Sequence, residues 1–484
     1  MGFTTGVAPT TFKYGINISA PIDVLTMVNA LRGPKGELIL NGGYNRSWLV
    51  VGPGDNFKTT FSREINAIAV SRFKDFEGVM FHEYDDEGSY SFERTKTIGS
   101  KYPGFEEIIN GEAKAQYGAD DLGSMSPDEY FQTFKELCDK KAADKKNYLT
   151  YEAYVIKGKP IKLPAPNFYL LDSLSKFDSD STKEYFKKNA GSGKDKNMIF
   201  MESGKYKKMF LMFLNASLMK SNSFMVMTGH LGKEYDLGGN MYGKKPSKIL
   251  QMMADGETFK GIPKEATEMT YTIWYANAAT KLATDGVQEY QSKYVADDKS
   301  ELVRVRYTIY RNKFGKKDVS CELLFSQFQG YLRGLTDFHF LRTRKAGVEK
   351  DGHRFYNILM PDLKMFRIEV RDTIWENKLL EKACEFLATL QHLKDHRPDL
   401  INLYCTPQEL YEDIKKLGYD WNVLLDTRSY VMPDQYNKSY KPYLSILDLL
   451  EVRQGLKDIW WYKDVIKGKW KFEKDPQVEY KEAK

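Results

Sequence analysis

Short apolar runs alternate with helically spaced segments along the first two thirds of the chain. Residues 47–51 (SWLVV) form a continuous branched and aromatic run, the pattern of a strand covered on both faces, and lead straight into a glycine-rich turn. Residues 61–73 (FSREINAIAVSRF) then place apolar positions at helical spacing, and residues 78–84 are apolar again. Strand, helix and strand in this order predict a βαβ unit and an α/β fold with a mostly parallel central sheet flanked by helices. The alternation continues with FYLL at 168–171, closed by Asp172, a helix over about 206–220, and FMVMT at 224–228. Later strands are expected at 271–274, 303–309 and 319–325, the last two paired across the polar turn 312–317.

Other stretches break this rhythm. The opening 21 residues lack helical periodicity and read as a tail or docking arm, followed by a helix over 22–31. Residues 101–165 are polar and read as an insertion with one helix, signalled by Ser126-Pro127-Asp128-Glu129: an N-cap, a first-turn proline and a capping-box glutamate. Beyond 345 the texture becomes helical, with one amphipathic helix over 374–393 and another over 407–417, between Thr406-Pro407 and Gly418. The expected organisation is an N-terminal arm and lead-in helix (1–46), an α/β core (47–345) and a mainly helical C-terminal domain (346–484).

Composition narrows the class. With 484 residues, 42% hydrophobic and 14% aromatic, the chain is too apolar for a disordered protein and long enough for two or three domains. The 72 basic and 66 acidic residues leave a net +6, which allows a polyanionic partner without demanding one. Cys138, Cys321, Cys384 and Cys405 stand far apart, so neither a zinc site nor a disulfide framework is expected, and a reducing compartment fits. His392 and His396 have an i,i+4 spacing, but the glutamate and third ligand of a metal motif are missing. The most apolar stretch, 209–219, falls short of the ~20 residues a bilayer needs, and no signal segment opens the chain. A cytoplasmic protein without membrane contact is expected.

The chemistry concentrates at Gly52-Pro53-Gly54-Asp55-Asn56-Phe57-Lys58-Thr59-Thr60, between a predicted strand and a predicted helix. In that context backbone N–H groups cradle a triphosphate, the helix N-terminus adds its positive end, Lys58 reaches the β/γ oxygens and Thr59 ligates Mg²⁺. Phe57 stands where the general motif has glycine. Asp172, at the end of a later strand, is placed to hold the Mg²⁺ through water. ATP and Mg²⁺ are therefore the expected cofactors. Between them, His82-Glu83-Tyr84-Asp85-Asp86-Glu87-Gly88 is an acidic strand end whose carboxylates could orient an attacking water, or form an ordinary solvated turn.

Taken in order, these motifs resemble RecA-type recombinases, most closely the phage UvsX-type branch, in which phenylalanine also precedes the P-loop lysine. The family's Y-D-x-E is similar to Tyr84-Asp85-Asp86-Glu87, which implies Glu87 as general base, with Glu83 as the alternative. Its I-D-S-L is similar to Leu171-Asp172-Ser173-Leu174. Its γ-phosphate sensor position falls on His230, and its adenine-stacking tyrosine is replaced by Arg94. The bacterial V-K-N-K resembles Tyr310-Arg311-Asn312-Lys313, which implies that Arg311 and Lys313 act on a neighbouring subunit's ATP. Two DNA-binding loops are implied as well: about 177–205, with Lys183, Lys187, Lys188, Lys194 and Lys196, and about 231–262, with Lys233, Tyr235, Tyr242, Lys244 and Lys245. Both combine positive charge for phosphates with aromatics able to stack on bases.

The resemblance implies a RecA-like ATPase that assembles as a helical filament on single-stranded DNA, promotes strand exchange with homologous duplex and meets loader and single-strand-binding proteins. A phage protein of this kind would work in the cytoplasm of a bacterial host. Two alternatives remain at this stage. One is a RecA-fold hexameric helicase working as a ring, disfavoured by the short segment before the core. The other is a nucleotide-gated DNA-binding mediator without turnover, motivated by Phe57 and Arg94. In residues 346–484, Trp460 and Trp461 with the lysines at 463, 467, 469 and 471 could touch duplex DNA, but a packed aromatic core under a basic surface is expected.

Overall fold

The computed structural model describes residues 13–88, 90–121, 123–189, 196–233, 250, 253, 257–263, 265–284, 287–295, 300–313, 315–478 and 480; the side chains of 185–201, 233, 267 and 284 lie outside that description. It is a mixed α/β fold built on a large central sheet flanked by helices. In chain order the sheet comprises β1 (Ser47–Gly52), β2 (Met80–Asp85), β3 (Gln116–Asp121), β4 (Asn167–Asp172), β5 (Phe224–Lys233), β6 (Glu257–Lys260), β7 (Thr272–Ala276), β8 (Thr280–Lys281), β9 (Leu302–Asn312), β10 (Ser320–Ser326) and β11 (Gly330–Tyr331). Across it the strands run β11-β10-β9-β7-β1-β5-β4-β2-β3, with β6 on β5 and β8 on β9. The block from β7 to β3 is parallel throughout, and β6, β8, β9, β10 and β11 join antiparallel.

Alternation of side chains sorts the sheet residues into two cores. Trp48, Val50, Phe168, Leu170, Phe224, Val226 and Trp274 pack on the helix Lys58–Ser71 through Phe61, Ile65 and Ile68. Leu49, Val51, Tyr169, Leu171, Met225 and Met227 face the opposite side, where Pro127–Ala143 and Lys196–Lys220 cover them through Tyr130, Phe134, Phe210 and Leu214. Such two-sided burial is why these strands read as continuous apolar runs. In chain order, helix α1 is Ala20–Leu25, α2 Lys58–Ser71, α3 Pro127–Ala143, α4 Lys196–Lys220, α5 Arg333–Arg344 and α6 Lys378–His396.

Several expectations are corrected. The insertion at 101–165 contains more than one helix: Pro103–Ile109 precedes β3, which extends the parallel block beside β2, and after α3 comes a hairpin, Tyr148–Ile156 with Lys159–Pro164. Lys157 and Gly158, both at positive φ, turn that hairpin in two residues. The helix expected over 22–31 stops at Leu25, and Asn29–Arg32 instead pairs antiparallel with Leu38–Asn41. Within the arm, Tyr14, Ile16 and Ile18 are core residues rather than a free tail, and Ile16 bridges Tyr44. The helix expected over 374–393 is two, Val370–Glu376 and α6, because Asn377 is extended and its side chain accepts from Leu380 N to cap the second. The capping boxes of Ser126 and Thr406 are present, and Gly418 stands at φ +84 after the helix Pro407–Lys416.

Among the described residues, the segment 346–478 is mainly helical, with one three-stranded antiparallel sheet formed by Val348–Asp351, Arg354–Asn357 and Met360–Phe366. Its core is shared with the start of the chain: Ala20, Val24, Leu38 and Leu40 join Leu380, Leu387, Leu424 and Leu447 in one cluster. Trp461 belongs to that core, whereas Trp460 is partly exposed. Among the described residues no helix is long and apolar enough to cross a membrane.

Candidate active site

Parallel strands deliver their carboxyl ends to one edge of a sheet, where an open α/β fold exposes backbone groups and helix N-termini to a ligand. Register brings the predicted residues to that edge: Gly52 pairs with His230 across β1 and β5, and Asp85 with Asp172 across β2 and β4. The turn after β1 docks on the end of β7. Asn56 Nδ2 donates to Ala276 O at 3.0 Å, and a Cβ on Gly52 would stand 2.4 Å from the same oxygen, so only glycine fits there. Asp55 and Phe57 both adopt left-handed φ, 57° and 58°. Phe57, the residue just before α2, holds the conformation for which glycine is the usual residue, and its ring centroid lies 5.1 Å from that of Phe325.

Lys58 opens α2, buried, and its Nζ donates to Pro53 O within the turn. Burial draws its ammonium below the ordinary value, against the pull of Asp172, Glu87 and Asp55. Thr59 Oγ1 donates to Asp172 Oδ1 at 3.1 Å, and Thr228 Oγ1 donates to the same oxygen at 2.5 Å. Burial raises the Asp172 carboxyl, opposed by the bond from Thr228. Thr59 and Asp172 thus present two oxygen donors beside the start of α2. That set fits Mg²⁺, which keeps much of its shell as water and phosphate and uses one or two protein oxygens. Thr60 follows on α2, half-buried.

The acidic strand end resolves into distinct environments. Glu83 is buried and accepts from Arg63 Nε through both carboxylate oxygens, at 3.1 and 2.8 Å, so the alternative general base is held by a cation of α2. Asp85 Oδ1 accepts from the backbone of Glu87 and Gly88, which turns the chain and presents Glu87. Glu87 Oε1 lies 3.1 Å from His230 Nε2 and 3.7 Å from Lys176 Nζ. Burial, the largest single influence, would raise the Glu87 carboxyl, but the bond from His230 together with Ser173 and the charge of Lys176 brings the group below its ordinary value. Asp86 is buried, its carboxyl pushed up to about 7 by burial. Neither of its oxygens has a hydrogen-bond partner among the described residues, and Lys183 Nζ stands 3.9 Å away.

The other predicted residues lie elsewhere. Arg94, in the helix Phe92–Gly99, donates to Phe328 O at 2.9 Å. Arg311 and Lys313 are at the opposite edge of the sheet. Register sets Arg311 beside Ile273, level with Leu49, and Lys313 Nζ reaches Met269 O at 3.3 Å. Lys183 faces Asp86, as above. Lys187, Lys188, Lys194, Lys196, Lys233, Tyr235, Tyr242, Lys244 and Lys245 fall outside the described residues or have side chains that do. Thr228, Lys176, Ser175 and Lys207 were given no role from the sequence. Thr228 ends the apolar run FMVMT two residues before His230, and a hydroxyl at a strand end beside a strand-end aspartate is the signal that marks it in the sequence.

The chain matches no protein-family model and no curated protein.

Proposed function

We propose that this protein is a DNA-dependent ATPase with a RecA-like core that assembles on single-stranded DNA and exchanges strands with a homologous duplex. The observation that carries this reading is the contact between Glu87 and His230 at the strand edge that also bears the P-loop. A carboxylate held ionised below its usual range is suited to accept a proton from water, and a histidine bonded to it can sense whether a terminal phosphate is present. Lys58 and the N-terminus of α2 bind the phosphates, while Thr59 and Asp172 would hold Mg²⁺. The metal, when bound, supplies neutralisation of charge on the phosphoryl oxygens. Glu87 rather than Glu83 is the base in this reading, because Arg63 already occupies both oxygens of Glu83.

Arg311 and Lys313 cannot serve their own P-loop from the far edge of the sheet, but a neighbour stacked head to tail could receive them. Such a heterologous contact builds a filament, or a ring where the rotation closes. The test is ATP hydrolysis by the purified protein with and without single-stranded DNA, with Lys58→Ala as control. Stimulated turnover that the substitution abolishes is expected, followed by strand exchange rather than unwinding on homologous substrates. Absence of turnover in both conditions would overturn the catalytic reading.

A further inference from the structure

Lys207, on α4, is a buried lysine in none of the roles assigned above, and its hydrogen bonds and ion pair go to the roots of the two candidate DNA loops. It is 1% exposed. Its Nζ donates to Ser175 O at 2.8 Å and to Gly261 O at 2.7 Å, and lies 3.3 Å from Asp178 Oδ1, which satisfies its three donors. Ser175 and Asp178 belong to the segment leaving β4, and Gly261 directly follows β6, which is paired to β5. The two roots touch: Gly261 stands at φ +66, and a Cβ there would lie 2.8 Å from Ser175 O.

From this clamp a continuous path leads to the candidate base. Ser175 Oγ accepts from His230 N at 3.1 Å, and His230 Nε2 meets Glu87 Oε1 at 3.1 Å. Lys260, next to Gly261, pairs with His230 across β6 and β5. A shift of either root therefore changes the oxygen Lys207 can hold, the serine that fixes the backbone of His230, and the histidine that fixes Glu87. A buried ammonium with three oxygen partners in fixed directions resists partial displacement, because each lost bond leaves a buried polar group unpaired.

We infer that Lys207 is a positioning residue that couples both candidate DNA-loop roots to Glu87, so that nucleic acid bound on the loops and nucleotide bound at the P-loop report to each other through Ser175 and His230. This inference rests on the ATPase and DNA-binding reading above. By linkage, nucleotide changes DNA affinity and DNA changes nucleotide affinity by the same factor, while the effect of DNA on turnover is a separate kinetic readout of the same path.

The experiment uses the full chain and a fluorescent oligothymidylate. Its affinity is measured with and without a non-hydrolysed ATP analogue, beside ATP turnover with and without the oligonucleotide, for wild type, Lys207→Met, Lys207→Arg and Ser175→Ala. Ser175→Ala removes the bond to His230 and leaves the carbonyl that Lys207 uses, so it tests the path even where Lys207→Met melts at a lower temperature or fails to fold. The expected result is that Ser175→Ala and folded Lys207→Met keep nucleotide affinity and nucleotide-free DNA affinity. Both lose the nucleotide-linked change in DNA affinity and most of the DNA stimulation, by about tenfold. Lys207→Arg restores part of each. A wild-type protein with neither stimulation nor linked affinity overturns the functional reading and this inference with it. A wild type that shows both, beside Ser175→Ala and folded Lys207→Met that show them equally, overturns the inference alone.

Discussion

His230 Nε2 and Glu87 Oε1, 143 positions apart in the chain, stand 3.1 Å from each other. Burial pushes the Glu87 carboxyl upward, and this bond is the largest of the contacts, with Ser173 and Lys176, that together bring it below its ordinary value. In the proposed role of general base Glu87 must be ionised, so a lowered pKa would keep turnover going further into acid. Removing the donor leaves burial unopposed by that bond, the carboxyl rises, and the acid limb of kcat/KM moves to higher pH. The pH profile of His230→Ala should show this shift, and His230→Gln, which still donates, a smaller one. A limb that stays in place in His230→Ala would separate the two residues functionally.

Glu87 and Glu83 can be told apart by what each substitution damages. Glu87→Gln should lower kcat by roughly 10²–10⁴-fold, the range for loss of a general base, with nucleotide affinity and melting temperature preserved. Glu83→Gln leaves Arg63 buried against a neutral partner and should lower stability by up to about 3–5 kcal/mol, while the protein that remains folded still hydrolyses ATP. Denaturant unfolding and single-turnover hydrolysis on both variants make the comparison.

Asp172 and Thr59 are joined by one hydrogen bond of 3.1 Å. Asp172→Asn keeps the shape and removes the charge, so the Mg²⁺ concentration for half-maximal activity should rise by at least about tenfold, whereas Thr59→Ser should change it little. A Mg²⁺ titration at saturating ATP reads the difference. An unchanged midpoint in Asp172→Asn would remove that residue from the metal site.

Gly52 and Gly54 flank one proline yet make opposite demands. A methyl on Gly52 would meet Ala276 O at 2.4 Å, while nothing lies within 4 Å of the methyl position on Gly54. Gly52→Ala should cost about 1–3 kcal/mol and displace the turn from β7. Gly54→Ala should melt with the wild type, and any loss it shows should appear in nucleotide binding alone. Thermal unfolding with and without ATP distinguishes the two.

The strands that position the site were readable because β1, β4 and β5 are short runs apolar on both faces, the pattern of a covered sheet, and β2 opens with the apolar Met80 and Phe81. The acidic and hydroxyl residues at their ends stood out against that background. β3 was missed because QYGADD is an edge strand carrying a glycine and two acids, with few apolar positions to mark it. The hairpin after α3 was signalled only by Lys157-Gly158, a weaker cue than an asparagine–glycine pair. Asn377 broke an apolar periodicity that runs on through both helices, since a cap acts through one side chain and leaves the hydrophobic spacing intact. The pairing of Arg63 with Glu83, and the clamp at Lys207, depend on contacts between residues 20 to 54 positions apart, which spacing alone does not encode.

The core that joins Ala20, Val24, Leu38 and Leu40 to Leu380, Leu424 and Leu447 has a consequence for biosynthesis. A chain emerging from the ribosome exposes the first apolar members of this cluster more than three hundred residues before their partners are made. Loop-closure entropy makes that contact late as well as distant. The sheet around β1 can therefore assemble while the lead-in segment still waits for its cover, and a chain truncated near residue 345 would present that uncovered surface to chaperones and to other nascent chains.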